Sequence, residues 1–336
     1  MKKLNIAVAG ATGNVGRKII ETLHERELPI NELHALASNR SKGKKISFGD
    51  EEITIQFLDN FDFSNIDVVF SCLSNDITKS YINKALKKGC IVIDKSSLFR
   101  MDEDVPLIIP EVNEHLIATF PKKGIISSPN CVAIPLCLAL SPLNNAAGIK
   151  RIVASTYQSV SGAGKEHMDE LYDQTKASFM GNSPSPVKFE KSISFNLIPK
   201  IDSFNENLDT LEEEKICNES KKILGSKLSI TATAVRVPVF IGHAISCNVE
   251  FNSNITAKEA EEILQEEEGI NLLSYESSMN YITPKEVVGE DGVFVCRIRE
   301  DKSLKNTLNM WITTDNLRKG AATNAVQILE SIKTLI

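Results

Sequence analysis

Leu4-Asn5-Ile6-Ala7-Val8-Ala9-Gly10-Ala11-Thr12-Gly13-Asn14-Val15-Gly16 is the stretch whose reading decides the fold. Leu4 to Ala9 is an apolar run with the length of a strand covered on both faces. Beyond the glycines, Val15, Ile19, Ile20 and Leu23 recur with helical period, which predicts a helix packed on that strand. A strand, a glycine-rich turn and a helix make the opening of a dinucleotide-binding domain. Gly10 permits the tight turn, Gly13 lets backbone approach a pyrophosphate, and Gly16 lets helix and strand close together. The helix N-terminus then faces the phosphates. The spacing is G-x-x-G-x-x-G rather than G-x-G-x-x-G, and a βα turn that binds nothing is the other reading.

Outward from this opening the α/β alternation continues. A second strand, Glu32 to Ser38, ends where an NAD-binding domain places a carboxylate for the ribose. The residues there are Ser38, Asn39, Arg40, Ser41 and Lys42. Hydroxyls and a guanidinium suit a 2′-phosphate, so the loop favours NADP over NAD; a solvated basic loop is the alternative. Asp67 to Ser74 reads as a strand, and Ile77, Tyr81, Ile82, Ala85 and Leu86 mark the inward face of a helix. Cys90 to Ile93 is the next strand, followed by a loop to Arg100; Leu107 to Val112 and Gly124 to Ser127 add short strands. Loops beyond the carboxyl ends of parallel strands are where such sheets bind ligands, which makes Arg100 a candidate anion ligand.

The last of these strands leads into Ser128-Pro129-Asn130-Cys131-Val132-Ala133-Ile134-Pro135. Pro129 and Asn130 are turn and helix-entry residues, and the run to Leu140 has nothing polar but Cys137. A helix beginning here puts Cys131 in its first turn, where unpaired amides favour an anion and lower a thiol pKa. Pro135 is tolerated there. The same residues also describe a structural cysteine ahead of a core helix.

Past residue 149 the texture changes. Ile149 to Val160, Leu228 to Val239, His243 to Phe251, Gly292 to Ile298 and Leu308 to Thr314 tend to alternate apolar and polar, the pattern of an antiparallel sheet with one covered face. Helices are predicted over Lys165 to Ala177, with Met168, Leu171, Tyr172 and Thr175 aligned, then Leu211 to Leu224 and Ala257 to Glu268. Residues 180–210 read as a long loop. Gly320 to Ile336 closes as a helix with Ala325, Ile328, Leu329 and Ile332 on one face. Several polar residues here are more than a plain core needs. Gln158 precedes the turn Ser161-Gly162-Ala163-Gly164-Lys165; Arg236 is in register with Ala232 and Ala234; His243 heads an apolar face. A candidate thiolate needs such an imidazole within hydrogen-bond reach. Glu212 and Lys215 stand three apart on a helix, where a surface ion pair is the plain reading.

Composition bounds the function. The 336 residues suffice for two domains, and the net charge of −6 gives no footprint for nucleic acid or an anionic membrane. Seven cysteines at irregular spacing argue for a reducing compartment. With no C-x-x-C and no H-E-x-x-H, no metal ligand set is visible. Met1-Lys2-Lys3 before a short apolar run imitates a signal peptide but runs straight into the glycine turn. No apolar run approaches the ~20 residues that span a bilayer, so a soluble, cytoplasmic protein is expected.

Taken together the chain resembles the aspartate-β-semialdehyde dehydrogenase family over nearly its whole length. The carrying segments are the glycine turn Gly10 to Gly16, Ser128-Pro129-Asn130-Cys131, Gln158-Ser159-Val160-Ser161-Gly162-Ala163-Gly164, Arg236-Val237-Pro238-Val239-Phe240-Ile241-Gly242-His243, and Gly320-Ala321-Ala322-Thr323-Asn324-Ala325-Val326-Gln327. The resemblance implies an α/β chain: a Rossmann-type NADP-binding domain with a parallel sheet over 1–130 and 318–336, and an α+β catalytic and dimerisation domain with a mainly antiparallel sheet over 131–317. It implies Cys131 as nucleophile and His243 as acid–base partner. Gln158 would hold the acyl end, Arg236 the α-carboxylate and Glu212 the ammonium; Arg100, Asn130 and Lys215 would bind phosphate. Gly10, Ala11, Thr12, Gly13, Asn14, Val15, Ser161, Gly162 and Asn324 would contact the cofactor, with Ser38, Arg40 and Ser41 at its 2′-phosphate. The implied reaction is NADPH-dependent reductive dephosphorylation of L-aspartyl-4-phosphate to L-aspartate-4-semialdehyde through a cysteine thioacyl intermediate, in diaminopimelate, lysine, threonine and methionine biosynthesis. The implied assembly is a homodimer, or a tetramer built from it. The rivals are a related acyl-phosphate reductase such as N-acetyl-gamma-glutamyl-phosphate reductase, and a non-catalytic NADP-binding protein.

Overall fold

The computed structural model describes residues 2–118, 121–183, 185–274 and 280–336. The chain divides into two compact units, Met1–Asn130 with Ala321–Ile336, and Cys131–Gly320.

The first unit begins with β1 (Leu4–Ala9), α1 (Asn14–Glu25) and β2 (Ile30–Ala37). A two-stranded excursion follows, β3 (Lys45–Phe48) with β4 (Glu51–Thr54), and then β5 (Gln56–Phe57). The alternation resumes with β6 (Val68–Ser71), α2 (Asn75–Lys87), β7 (Ile91–Asp94), the short α3 (Pro110–Asn113) and β8 (Ile125–Ser127). The main sheet has the order β5-β2-β1-β6-β7-β8, and every pairing in it is parallel. The chain runs outward from β1 in one direction and then in the other. The strand order therefore reverses between β1 and β6, the switch point at which such sheets bind ligands. β1 and β6 to β8 are buried almost throughout because helices cover both faces.

The second unit opens with α4 (Ala133–Ala147), then β9 (Ile149–Gln158), α5 (Lys165–Phe179), α6 (Leu211–Leu224), β10 (Ser229–Arg236), β11 (His243–Phe251), α7 (Ala257–Gln265), β12 (Ile270–Leu273), β13 (Val293–Glu300) and β14 (Thr307–Thr314). Its sheet has the order β10-β9-β11-β14-β13-β12. The inner pairings are antiparallel and the two edge pairings, β10 with β9 and β12 with β13, are parallel. Along β9 the buried Ile152, Ala154 and Thr156 alternate with half-exposed Val153, Ser155 and Tyr157. The chain then returns to the first unit as α8 (Thr323–Ile332), whose Ala325, Ile328, Leu329 and Ile332 are buried in that unit's core with Ile6, Ile19 and Phe70.

The expected fold class stands, and some of its details change. Leu107 to Val112 is not a strand: only Leu107 bridges Ser127, and α3 starts at Pro110. Proline has no N–H for a ladder and is preset for a first helical position. In α2 the buried row is Thr78, Tyr81, Ile82 and Ala85, while Ile77 is 44% exposed. In α5 the buried row is Glu170, Leu171 and Gln174, and Tyr172 is 59% exposed. Glu170 turns inward because Val187, Lys188 and Phe189 donate their backbone N–H groups to its carboxylate. Gln174 does the same for Ile193 and Ser194. Residues 180–210, with residue 184 outside the described residues, form no named helix or strand, and these two side chains anchor part of the segment to α5.

Candidate active site

Cys131 is not in the first turn of a helix. It lies in a turn just ahead of α4, where Val132 is the N-cap and Ala133 the first helical residue. Ala133 to Leu140 is buried throughout, so the apolar run serves as a core element with the half-buried thiol at its entry. Burial pushes the Cys72, Cys137 and Cys247 thiols up to about 12 and Cys90 to about 11, and it raises Cys217 and Cys296 as well. Such thiols stay protonated.

The residues Cys131 shares its unit with form a polar group at the ends of β9, β10 and β11. Arg236 ends β10 and is buried; its Nη1 donates to the Ser159 carbonyl at 2.8 Å. Burial holds the guanidinium below its ordinary pKa, while the charges of Glu212 and Cys131 act the other way. Gln158 ends the parallel neighbour β9, directly opposite Arg236. Its Oε1 accepts from Thr156 Oγ1 at 2.9 Å and its Nε2 donates to Glu212 Oε1 at 3.1 Å.

Glu212 is one of three consecutive glutamates, and the cap of α6 separates their roles. Thr210 and Glu213 form a capping box, and Glu213 also accepts from Ala234 N. Glu214 accepts from Asn205, which leaves Glu212 as the carboxylate on Gln158. Lys215 Nζ reaches Asp202 at 2.8 Å and Glu212 at 3.5 Å.

His243 heads β11 and is 1% exposed. Its Nδ1 accepts the Ser159 backbone N–H at 3.1 Å, and Ser159 Oγ lies 3.0 Å away. A backbone N–H can only donate, so this bond favours the tautomer with its proton on Nε2. Nε2 itself is buried and has no hydrogen-bond partner among the described residues. Burial first, and the Arg236 charge second, push the imidazole down to about 3, so it is neutral at pH 7. A Cβ at Gly162 would come 3.2 Å from His243 Nε2 and 3.3 Å from Arg236 Nη1, and one at Gly320 would come 3.5 Å from Cys131 Cβ. Glycine keeps backbone close to all three side chains.

Ser159, Asn316 and His167 belong to this group and the sequence reading passed over them. Asn316 Oδ1 accepts from Ser159 Oγ, Ser161 Oγ and the Gly242 N–H. His167, at the start of α5, feels the Arg236 charge and has a buried Nδ1 without a partner among the described residues. The visible signal for Asn316 is the polar run Thr313-Thr314-Asp315-Asn316 closing an apolar strand.

The remaining expected residues lie in the first unit. Arg100 is buried and spends Nε on the Ser128 carbonyl and Nη2 on the Lys95 carbonyl. Lys95 Nζ donates to Ser128 Oγ, and the fully buried Asn324 donates Nδ2 to Ser128 Oγ and the Ile108 carbonyl. Together they fix the segment that ends in Asn130, itself 6% exposed. At the glycine turn, Gly10 has φ +89°, and a Cβ there would meet the Cys72 carbonyl at 2.6 Å; a Cβ on Gly16 would collide with the Gly10 carbonyl. Gly13 is the N-cap of α1 and no side chain caps that helix. Ala11 is buried, whereas Thr12, Asn14 and Val15 are half-buried around the turn. Gly10 N and Ala11 N both donate to the Leu36 carbonyl, which ties the turn to the end of β2. Ser38 and Arg40 follow that strand end exposed, and Ser41 is half-buried. A bare helix N-terminus beside hydroxyls and a guanidinium fits a dinucleotide phosphate. Among the described residues no cluster of His, Cys, Asp or Glu could hold a metal ion, and no helix is long and apolar enough to cross a membrane.

Two family models match the chain. The family described as "Semialdehyde dehydrogenase, NAD binding domain" matches residues 5–120, and "Semialdehyde dehydrogenase, dimerisation domain" matches 140–319. An aspartate-semialdehyde dehydrogenase of Rickettsia bellii is 54% identical over 336 residues, covering 100% of this chain and 99% of the relative. A crystal structure of aspartate semialdehyde dehydrogenase II from Vibrio cholerae, complexed with ASA, superposes with a TM-score of 0.96 at 40% identity over 99% of each chain. The Candida albicans enzyme with NADP superposes with a TM-score of 0.74 at 26% identity, again over 99% of each.

Proposed function

The chain belongs to the aspartate-semialdehyde dehydrogenase family, and from that premise we propose that it interconverts L-aspartyl-4-phosphate and L-aspartate-4-semialdehyde through a thioester on Cys131, with NADP(H) as hydride carrier. The observation that carries the proposal is the buried grouping of Arg236, His243, Gln158 and Glu212 at the ends of β9 to β11, in the unit that also holds the half-buried Cys131.

The Cys131 thiolate attacks the β-acyl carbon of the acyl phosphate; the tetrahedral oxyanion collapses, the C–O bond to phosphate breaks, and a thioester remains. The positive end of α4 favours negative charge at Cys131 and on the oxyanion. When bound, the dinucleotide supplies a hydride to the thioester carbon in one direction and takes it back in the other. His243 donates from Nε2 to the acyl oxygen as charge builds there, a role that suits an N–H without a partner among the described residues. Arg236 clamps the α-carboxylate as a planar fork, Glu212 takes the ammonium, and Gln158, held by Thr156 and Glu212, orients the acyl end. Lys215, Arg100 and Asn130 gather the phosphate. On the cofactor side, Gly10 to Val15 cradle the pyrophosphate, Ser38, Arg40 and Ser41 select the 2′-phosphate, and Ser161, Gly162 and Asn324 complete the cofactor contacts. The flux serves lysine, threonine and methionine synthesis.

The match to a dimerisation domain supports a homodimer. We place the contact on the half-exposed sheet face that carries Val153, Tyr157 and Trp311, the last two in ring contact at 5.4 Å. The test of the whole reading is a steady-state assay with aspartate semialdehyde and each cofactor. Phosphate-dependent reduction of NADP, with NAD much the poorer acceptor, is expected. Equal use of NAD would remove the 2′-phosphate assignment, and activity on N-acetylglutamate semialdehyde instead would remove the aspartyl one.

A further inference from the structure

We propose that Ser159 and Asn316 are positioning residues that set which nitrogen of His243 carries its proton. This rests on the thioacyl reading above, because that chemistry asks the imidazole both to give and to take a proton at Nε2.

The geometry supports two hydrogen-bond states. Asn316 is 2% exposed, and its Oδ1 is identified by the Gly242 backbone N–H that donates to it at 2.9 Å. Ser159 Oγ lies 3.0 Å from His243 Nδ1, 3.1 Å from Asn316 Oδ1 and 3.1 Å from Ser161 Oγ. Asn316 Nδ2 donates to Ser161 Oγ at 2.9 Å, which closes the network. In the first state His243 carries its proton on Nε2, and Ser159 turns its O–H to Nδ1 alongside its own backbone N–H. In the second state Nδ1 carries the proton and donates to Ser159 Oγ, whose O–H has turned to Asn316 Oδ1. Ser159 keeps its own proton throughout; only its hydroxyl rotates. The first state presents Nε2–H as a donor to an acyl oxyanion. The second presents an Nε2 lone pair that can relay the proton of the Cys131 thiol to the departing phosphate as sulfur bonds the acyl carbon, while Ser159 holds Nδ1–H. In the reductive half Nε2 lends its proton to the oxygen as charge builds there and recovers it as the C–S bond breaks, so the aldehyde leaves without it.

Without Asn316 the rotated hydroxyl loses its acceptor, and without Ser159 an Nδ1–H would face only a backbone N–H. Either loss strands His243 in the first state, a cost set by the unsatisfied buried donor. Arg236 is the charged group acting on His243, and both substitutions leave it in place.

The test uses the full-length protein labelled with ¹⁵N-histidine. There are 5 histidines, and His243→Gln identifies the signals that belong to this one. A minor Nδ1-protonated population beside the favoured Nε2 form is expected in the wild type, to vanish in Ser159→Ala and Asn316→Ala, and to persist in Ser159→Thr and Asn316→Asp, which keep the hydroxyl or the acceptor. In parallel, kcat should fall about 10- to 100-fold in the two alanine variants, a part of the ~10²–10⁴ that general acid–base work by a histidine supplies. KM should stay within about twofold, as expected for a loss confined to the transition state. The threonine and aspartate variants keep the test open should an alanine variant fail to fold. Unchanged Nδ1 protonation in Ser159→Ala and Asn316→Ala overturns the proposal, even if kcat falls. A shift in protonation in a protein that does not turn over aspartate semialdehyde sustains the network and removes the proposed reaction instead.

Discussion

His243 has its chemistry set by where the fold buries it. An unfolded histidine takes up a proton below about 6.5, whereas the folded one refuses it until about 3. Between those values the unfolded chain binds more protons, so acid draws the equilibrium toward it and stability rises again with pH. His243→Gln should flatten that part of the profile, seen as a smaller drop in urea midpoint between pH 7 and pH 4; identical drops would mean that His243 is not held neutral. Its neighbours are as tightly fitted. Gly162→Ala puts a methyl against His243 Nε2 and Arg236 Nη1 and should raise KM and lower kcat with little loss of thermal stability. Arg236→Lys replaces a fork with a point charge and should raise the KM for aspartate semialdehyde at least about tenfold; a KM within twofold would reassign the carboxylate. Arg236 and His243 stand out in the sequence as polar residues in register with apolar ones, and Cys131 as a thiol between a turn and an apolar run. Ser159 and Asn316 do not, because serine and asparagine at strand ends are ordinary turn formers, and only the folded distances give them a common partner.

At the scale of elements, periodicity found the helices and misjudged which face some of them bury. Tyr172 aligns with Leu171 in the sequence of α5, yet it is exposed, and Glu170 and Gln174 flank Leu171 on the buried side. A carboxylate that accepts three backbone N–H groups is worth burying, and no count of apolar residues anticipates it. Glu170→Ala should therefore destabilise the fold by about 1–3 kcal/mol through the amides it strands. It should also speed hydrogen exchange at Val187, Lys188 and Phe189 while α6 stays protected. The parallel main sheet followed directly from strands that are apolar on both faces. The parallel edges of the second sheet did not, since β10 alternates like an antiparallel strand and its direction is set by the α6 connection. The turn at Cys131 was read one step too far into the helix. Val132 takes the cap although it offers no capping side chain, so nothing in its residue type marks the boundary.

For the molecule as a whole, the first unit's all-parallel sheet and the second unit's mixed one recover the two architectures expected of this chain. The dimer assignment has its own test. Tyr157→Asp puts charge on the half-exposed sheet face and should shift the sedimenting species from about twice 37.0 kDa toward the single-chain mass. The central claim concerns one sulfur. The first half-reaction needs only the acyl phosphate and a thiolate, so it can be read without any dinucleotide by intact-mass and peptide analysis of protein mixed with L-aspartyl-4-phosphate. The account predicts an acid-stable, hydroxylamine-labile aspartyl adduct on Cys131, absent in Cys131→Ala. An adduct on another residue, or turnover retained by Cys131→Ala, would contradict it.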